Sequence, residues 1–379
     1  MIKILIIDEN DDHRTFLKYA FTEEKQILKE IGFDETFEVY EAKDGIEGMK
    51  MAQVFEPDIV ILEEALKDIS GIKLCQRIKG MYNNIPIIFL TANNDFRLKE
   101  MAFQSGASDY IVKPAHPYEI FIRIKKHYEY YETQKKLVKT LENYEKDLKI
   151  ARSVQKNLLP KTKKINNVLF DYIYISSHNT SGDMLEVISL NDGRVFAYMY
   201  DISGHGVTSA LLSIIVKQEI EQIVKNEGIN NLKEMVLKLE DNTREYFFDG
   251  RYFTGIFSII SNNEIEYANM AHRELIFLNS GNLEYDSRTD FPLGVGLINK
   301  TNLNIFKRKI EKGTLILFYT DGILDIEDFD DEKFYETLTS KKYYYPMDIV
   351  ERLKKDFDIY LDGRFPIDDI SVLVLKLEE

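Results

Sequence analysis

The chain of 379 residues is too long for one ordinary core, and domains of about 100 to 200 residues predict two of them and a connection. With Asp+Glu 64 against Lys+Arg 49, the formal charge of −15 excludes a surface built mainly to hold a nucleic-acid backbone, which needs clustered Lys and Arg, and points to a protein or small-molecule partner. A single cysteine, Cys75, excludes a disulfide framework or a cysteine zinc site within one chain and fits a reducing cytoplasm.

The opening MIKILIIDEN has too short an apolar run for a signal peptide, with acidic residues directly behind it, and reads as a first strand. No uninterrupted run of about 18 apolar residues occurs, so no membrane-spanning helix is predicted and a soluble, cytoplasmic protein is expected. Strand-like runs at residues 4–7, 37–41, 59–62, 85–90 and 110–112 alternate with amphipathic helical stretches, which predicts a doubly wound α/β domain with a five-stranded parallel sheet. Asp8 and Glu9 follow the first run, Glu63 the third, Thr91 the fourth and Lys113 the fifth. Ligands of open α/β sheets sit at the carboxyl ends of the strands. Carboxylates there suit a hard cation such as Mg²⁺, and a hydroxyl and a lysine opposite suit phosphate oxygens. Any one of these side chains alone reads as a solvated loop residue; their shared placement points to a site.

This set, Asp8-Glu9, the PDIVIL strand, Thr91-Ala92 and Lys113-Pro114, resembles the response-regulator receiver domain, with its CheY-like fold, over residues 1–122. The resemblance implies Asp8 and Glu9 as Mg²⁺ ligands, Thr91 as the switch hydroxyl and Lys113 as the phosphate-pairing lysine. It also implies an aspartate as phosphoacceptor, and that residue is Glu63 here. One more methylene moves a carboxylate by about 1 Å, which costs on the order of a hundredfold where alignment matters. Ordinary aspartyl phosphorylation is therefore not expected. Glu63 keeps the charge and reaches farther, so it is expected to pair with Lys113 or bind Mg²⁺ in partial imitation of a phosphorylated state.

Residues 123–160 read as a helical linker closed by Pro160. Leu137, Leu141, Tyr144, Leu148 and Ala151 follow the a/d rhythm of a coiled coil, continued by Gln155 and Leu158. This narrow stripe, flanked by Lys and Glu, predicts a parallel homodimer; a long helix packed on its own domain is the alternative. The segment DLKIARSVQKNLLP resembles the helical lead-in of SpoIIE-type and RsbU-like phosphatase domains.

Over residues 161–379 strand-like runs are interrupted by helical stretches at 207–226 and 231–247, which predicts a layered α+β domain, a β-sandwich with flanking helices. Four aspartates stand where a strand meets a tight turn: Asp183 in TSGDMLE, Asp201 in DISGHGV, Asp321 in YTDGI and Asp368 in IDDIS. Singly each is an ordinary turn residue. Converging at one sheet edge they repel one another and call for divalent cations, and Gly182, Gly204, Gly206 and Gly322 let backbone approach.

In this order, with DISGHG among them, the four motifs resemble the SpoIIE-type branch of the metal-dependent protein phosphatases, the type 2C Ser/Thr phosphatase fold. The resemblance implies two Mn²⁺ or Mg²⁺ ions, bridged by Asp201 with the Ile202 carbonyl as a further ligand. It places Asp183 on one side and Asp321 and Asp368 on the other, with Asp369 substituting or binding through water. Two cations acidify a water and neutralise phosphate charge without a covalent enzyme intermediate. Glu186 stands where GDxxD is usual, which predicts altered metal affinity, and Ala271 replaces the glycine of an AGH turn. His205 and His272 are read as structural rather than as proton donors. SGDMLE lacks the rest of a diguanylate cyclase signature, and KKYYYP reads as a surface loop or interface patch.

Together the resemblances imply a phosphatase acting on phosphoserine or phosphothreonine of a partner protein under the receiver's control. They imply an anti-anti-sigma (STAS) type substrate in a bacterial partner-switching pathway. The alternative is an RssB-like adaptor with an inactive phosphatase-like domain; the presence of all four aspartates favours the enzyme.

Overall fold

A computed structural model describes residues 1–378 apart from 34, 83, 179 and 262. Two compact units divide it, Met1–Asn143 and Tyr144–Glu379. Among the described residues no helix is long and apolar enough to cross a membrane.

The first unit runs β1 (Ile2–Ile7), α1 (Asp11–Glu23), α2 (Lys25–Glu30), β2 (Phe37–Ala42), α3 (Gly45–Phe55), β3 (Ile59–Leu62), α4 (Gly71–Met81), β4 (Ile87–Thr91), α5 (Phe96–Gln104), β5 (Asp109–Val112) and the start of α6 (Pro117–Leu158). The five strands are parallel in the order β2-β1-β3-β4-β5. Alternation along the strands feeds two cores, as the period of two requires. Ile4, Ile6, Ile61 and Ile88 pack with Leu17 and Phe21 of α1 and with Ile120, Phe121 and Ile124 of α6. On the other face Leu5, Ile7, Val60 and Phe89 pack with Ala52 of α3 and with Leu74, Cys75 and Ile78 of α4. Asn10, Asp44, Ser70 and Asp95 cap the helices α1, α3, α4 and α5 through their side chains.

Helix α6 is at once the last helix of the first unit and the lead-in to the second. Proline at its first position is suited to that place. Along its middle Leu137, Leu141 and Tyr144 are about half exposed, while Gln155, near its end, is buried.

The second unit continues with β6 (Lys164–Ile165), β7 (Val168–Ile175), β8 (Met184–Ser189), β9 (Val195–Ile202), α7 (Val207–Glu221), α8 (Leu232–Thr243), β10 (Phe253–Ser261), β11 (Glu264–Met270), β12 (Leu275–Asn279), β13 (Asn282–Asp286), β14 (Phe306–Lys309), β15 (Leu315–Tyr319), α9 (Asp331–Thr339), α10 (Pro346–Leu361) and β16 (Ile370–Leu377). Two antiparallel sheets form, in the orders β14-β11-β10-β9-β8 and β13-β12-β15-β16-β7-β6. Ile316, Phe318, Leu373 and Leu375 face the core shared with the other sheet. Their neighbours Leu315, Leu317, Val372 and Val374 face Phe334 of α9 and Ile349, Leu353 and Phe357 of α10. The result is a β-sandwich flanked by helices.

Helices α9 and α10 add to the two expected helical stretches. In α10 the buried residues Ile349, Val350, Leu353 and Phe357 have helical spacing. The KKYYYP segment links α9 to α10 and opens α10 with Pro346; Tyr344 and Tyr345 are exposed, but Tyr343 is buried and donates to the Thr337 carbonyl at 2.7 Å.

Candidate active site

In the first unit, the ends of β1, β3 and β5 meet. The Lys113 ammonium lies 2.6 Å from Asp8 Oδ2 and 2.8 Å from Glu63 Oε2, so one cation is shared by two buried carboxylates. The other Glu63 oxygen accepts the Glu64 N–H at 2.8 Å. His13 completes the group, its Nδ1 lying 3.0 Å from the ammonium. Thr91 is buried, its hydroxyl accepting the Asn93 N–H at 3.3 Å and its carbonyl accepting the Lys113 N–H at 2.8 Å. Glu9 is exposed and its carboxylate is 3.8 Å from Lys67. The extra methylene of Glu63 thus reaches Lys113.

In the second unit, Asp201 at the end of β9, Asp321 after β15 and Asp368 before β16 line one cavity of about 450 Å³. Asp183, just before β8, is buried; one oxygen accepts the Thr320 hydroxyl at 3.1 Å and the other has no partner. A Cβ on Gly182 would stand 3.0 Å from the Ile202 carbonyl oxygen and 3.3 Å from Asp201 Oδ1, a tight fit that asks these neighbours to give by a few tenths of an ångström. Burial raises the Asp183 carboxyl far above the usual carboxylate range, and the charges of Asp201 and Asp369 raise it further. Asp201 is raised by burial and then by Asp321, Asp368 and Asp369. Asp368 is raised by burial and by Asp369, Asp321 and Asp325.

Asp369 is directed elsewhere. Its Oδ1 accepts the Ser177 N–H at 2.7 Å and the Ser177 hydroxyl at 2.9 Å, and its Oδ2 accepts the Gly182 N–H at 2.8 Å. It holds the segment that leads into Asp183. Gln155 of α6 holds the same segment: its amide accepts the Ser181 N–H at 3.0 Å and donates to the Ser181 carbonyl at 2.8 Å, and it also reaches Ala210 and Ser213 of α7. The heptad rhythm offered no sign of this polar role. Thr320 was missed too, although it stands within YTDGI.

An all-oxygen donor set and a buried carboxylate oxygen without a donor fit a hard divalent cation. Yet among the described residues no three or more His, Cys, Asp or Glu side chains stand together as a group that could hold a metal ion. Asp201, Asp321 and Asp368 line one cavity, and Asp183 is buried next to Asp201.

Glu186 is not among the residues that line this cavity; its carboxylate pairs with the buried Lys217 of α7 at 2.8 Å. Ala271 takes the left-handed conformation, φ +53°, which explains why glycine is usual there. His272 lines the cavity, with Nδ1 2.8 Å from the Thr254 hydroxyl; burial and the charge of Arg273 lower its pKa to about 3, so it is neutral. His205 is exposed and stacks on His178 with centroids 5.3 Å apart.

Comparison with known proteins gives the class. Residues 4–125 match the family model of the response regulator receiver domain, and residues 191–378 match that of stage II sporulation protein E, SpoIIE. The chain joins a receiver domain to a SpoIIE-type domain of the PP2C phosphatase fold. It is 32% identical over 123 residues to the alkaline phosphatase synthesis transcriptional regulatory protein PhoP of Bacillus subtilis, covering 32% of this chain and 47% of that protein. It is also 32% identical over 124 residues to protein RcaC of Microchaete diplosiphon, covering 33% of this chain and 17% of that protein. The chain thus spans about half or less of the length of these curated relatives. Among solved structures, the SiaA PP2C domain of Pseudomonas aeruginosa is similar with TM-score 0.54 and 14% identity, covering 63% of this chain and 99% of that one. The PP2C domain of Bacillus subtilis SpoIIE with a regulatory fragment is similar with TM-score 0.50 and 19% identity, covering 57% and 64%. At such identities the likeness is one of fold.

Proposed function

We propose that the chain is a metal-dependent protein Ser/Thr phosphatase with a receiver over residues 1–122, a linker over 123–160 and a catalytic domain over 161–379. The observation that carries this reading is the gathering of Asp201, Asp321 and Asp368 round one cavity, with Asp183 buried beside them and one of its oxygens unpaired. Asp183, Asp201 with the Ile202 carbonyl, Asp321 and Asp368 would hold two Mn²⁺ or Mg²⁺ ions. Bound there, such ions supply the positive charge and Lewis acidity that phosphoryl transfer to water needs. The chain's own part is placement: Thr320 orients Asp183, while Asp369 and Gln155 fix the segment from Ser177 to Gly182. The substrate is a phosphoserine or phosphothreonine protein of the cytoplasm, of STAS type. The decisive assay incubates the full chain with Mn²⁺ and a phosphoserine STAS protein. Turnover abolished by Asp201→Asn and by Asp321→Asn is expected; no release of phosphate by the unsubstituted chain refutes the enzyme and leaves a binding adaptor.

Glu63, held by Lys113, makes the receiver a domain that no longer accepts a phosphoryl group in the ordinary way. Glu63→Asp is expected to restore labelling by acetyl phosphate, with Mg²⁺ at Asp8; equal labelling of the unsubstituted chain contradicts this. The half-exposed stripe of Leu137, Leu141 and Tyr144 supports a parallel homodimer through α6. Leu141→Asp should then give a monomer in sedimentation.

A further inference from the structure

The cavity is walled by negative charge, with Glu274 beside the three aspartates. Among its lining residues Arg273 carries the one positive charge, since His272 is neutral. Asn269, buried near the end of β11, sets the turn that presents Arg273: its Oδ1 accepts the His272 N–H at 2.9 Å and its Nδ2 donates to the Arg273 carbonyl at 3.1 Å. The guanidinium carbon lies 5.6 Å from the centroid of the Tyr319 ring, at the end of the strand that leads into Asp321. The turn and the Tyr319 ring thus place Arg273 among the residues that line the cavity.

Its hydrogen bonds are incompletely used. Nη2 meets Asp331 Oδ1 at 2.9 Å and stands 3.7 Å from Glu274 Oε1, which is already bonded by the hydroxyls of Tyr319 and Tyr335. The Arg273 Nε is buried and has no partner. Asp331, the first residue of α9, is about half exposed, so parting from it exchanges one solvated ion-pair partner for another. A planar fork whose ion-pair partner is a replaceable, half-exposed carboxylate suits a ligand that brings several oxygens and dense negative charge.

We propose that Arg273 binds the substrate's phosphoryl group, its guanidinium exchanging Asp331 for phosphate oxygens as a phosphorylated side chain enters the cavity. This rests on the phosphatase reading of the same site and names the residue that recognises the dianion. Asp331 is then a competitor that occupies the guanidinium between substrates.

The test uses the full chain, its Arg273→Gln and Arg273→Lys variants and Asp331→Asn. Turnover of p-nitrophenyl phosphate with Mn²⁺ gives KM and kcat, inhibition by inorganic phosphate gives its Ki, and calorimetric titration with inorganic phosphate gives its Kd without turnover. Arg273→Gln should raise KM, Ki and Kd together by about ten- to a hundredfold with a smaller change in kcat, as losing hydrogen bonds to a charged group does. Arg273→Lys should restore part of the affinity. Asp331→Asn should tighten all three constants about two- to fivefold by removing the competing charge. Unchanged phosphate affinity in Arg273→Gln, or weaker phosphate binding in Asp331→Asn, overturns the proposal. Should Arg273→Gln fail to fold, the direction of change in Asp331→Asn decides. Absence of turnover in the unsubstituted chain refutes the phosphatase instead, and calorimetry then decides on Arg273 alone.

Discussion

Gly322, next to Asp321, offers a sharp test of how the cavity is built. A Cβ at this position would lie 2.0 Å from the Asp369 carbonyl oxygen and 3.1 Å from the Asp368 carbonyl carbon. Ordinary contact begins at 3.4 Å, so Gly322→Ala forces the two segments apart by about 1.4 Å, the difference between 3.4 and 2.0. Both walls are backbone, and no side-chain rotation can relieve the clash. The neighbouring bonds from Thr320 N to Ser371 O at 3.0 Å and from Ser371 N to the Thr320 hydroxyl at 2.9 Å tie the same segments together, so parting them strains β15 against β16. Overpacking of this kind costs about 1–3 kcal/mol. Separating Asp321 from Asp368 by more than 1 Å costs on the order of a hundredfold in turnover. Urea unfolding followed through the transition of the second unit, and Mn²⁺-dependent hydrolysis of p-nitrophenyl phosphate, measure the two effects. Gly80→Ala, in α4 of the first unit with no atom within 4 Å of its added Cβ, is the control: it should leave the second unit's transition and turnover unchanged and be neutral or stabilising by up to about 1 kcal/mol in the first unit's own transition. A Gly322→Ala protein with native midpoint and native turnover would show that the close approach has no bearing on the site.

Three other outcomes are expected. Ala271→Gly relieves a left-handed alanine, φ +53°, and should stabilise the second unit by about 0.5–1 kcal/mol in urea; a lower midpoint would contradict this. Gln155→Ala leaves the Ser181 N–H and carbonyl without their side-chain partner and should destabilise by about 1–3 kcal/mol, with weaker binding of Mn²⁺ by calorimetry; unchanged values in both would refute its positioning role. Burial would raise the Asp109 carboxyl, but hydrogen bonds from His127, the Tyr110 N–H and Arg123 overcome it and lower the pKa to about 2. Its folded value lies below the unfolded one of about 3.9, so its contribution of about 1–2 kcal/mol is complete above that pH and disappears as pH falls through about 2. Asp109→Asn should lose it at pH 7, and the difference from the unsubstituted chain should shrink below pH 4; a gap constant with pH is the opposing result.

The receiver fold was legible because its signal is local: buried runs such as IVIL end in polar residues at the same edge of a parallel sheet. Glu63 and Lys113 could be named as a pair because strand order in such sheets brings their ends together. The aspartates of the second unit were legible through their turns, but what each side chain bonds to was not. Asp368 and Asp369 are adjacent, and only the fold distinguishes a residue at the cavity wall from one spent on Ser177 and Gly182. The partner of Glu186 was hidden for a related reason: Lys217 lies 31 residues away, beyond the reach of motif spacing. Gln155 matched an apolar rhythm, while its hydrogen bonds depend on residues 26 to 58 positions further on.

Strand β16 is the last of the described elements to be synthesised, yet it lies inside its sheet, between β15 and β7. While the ribosome is still adding residues, the receiver can fold as a unit, but β7 must wait for a neighbour about 200 positions downstream, as the pairing of Val168 with Leu377 marks. Asp368 arrives just ahead of that strand. A nascent chain therefore exposes a finished receiver well before the cavity gains its last wall, and a chain cut short before Asp368 carries the receiver without a complete cavity.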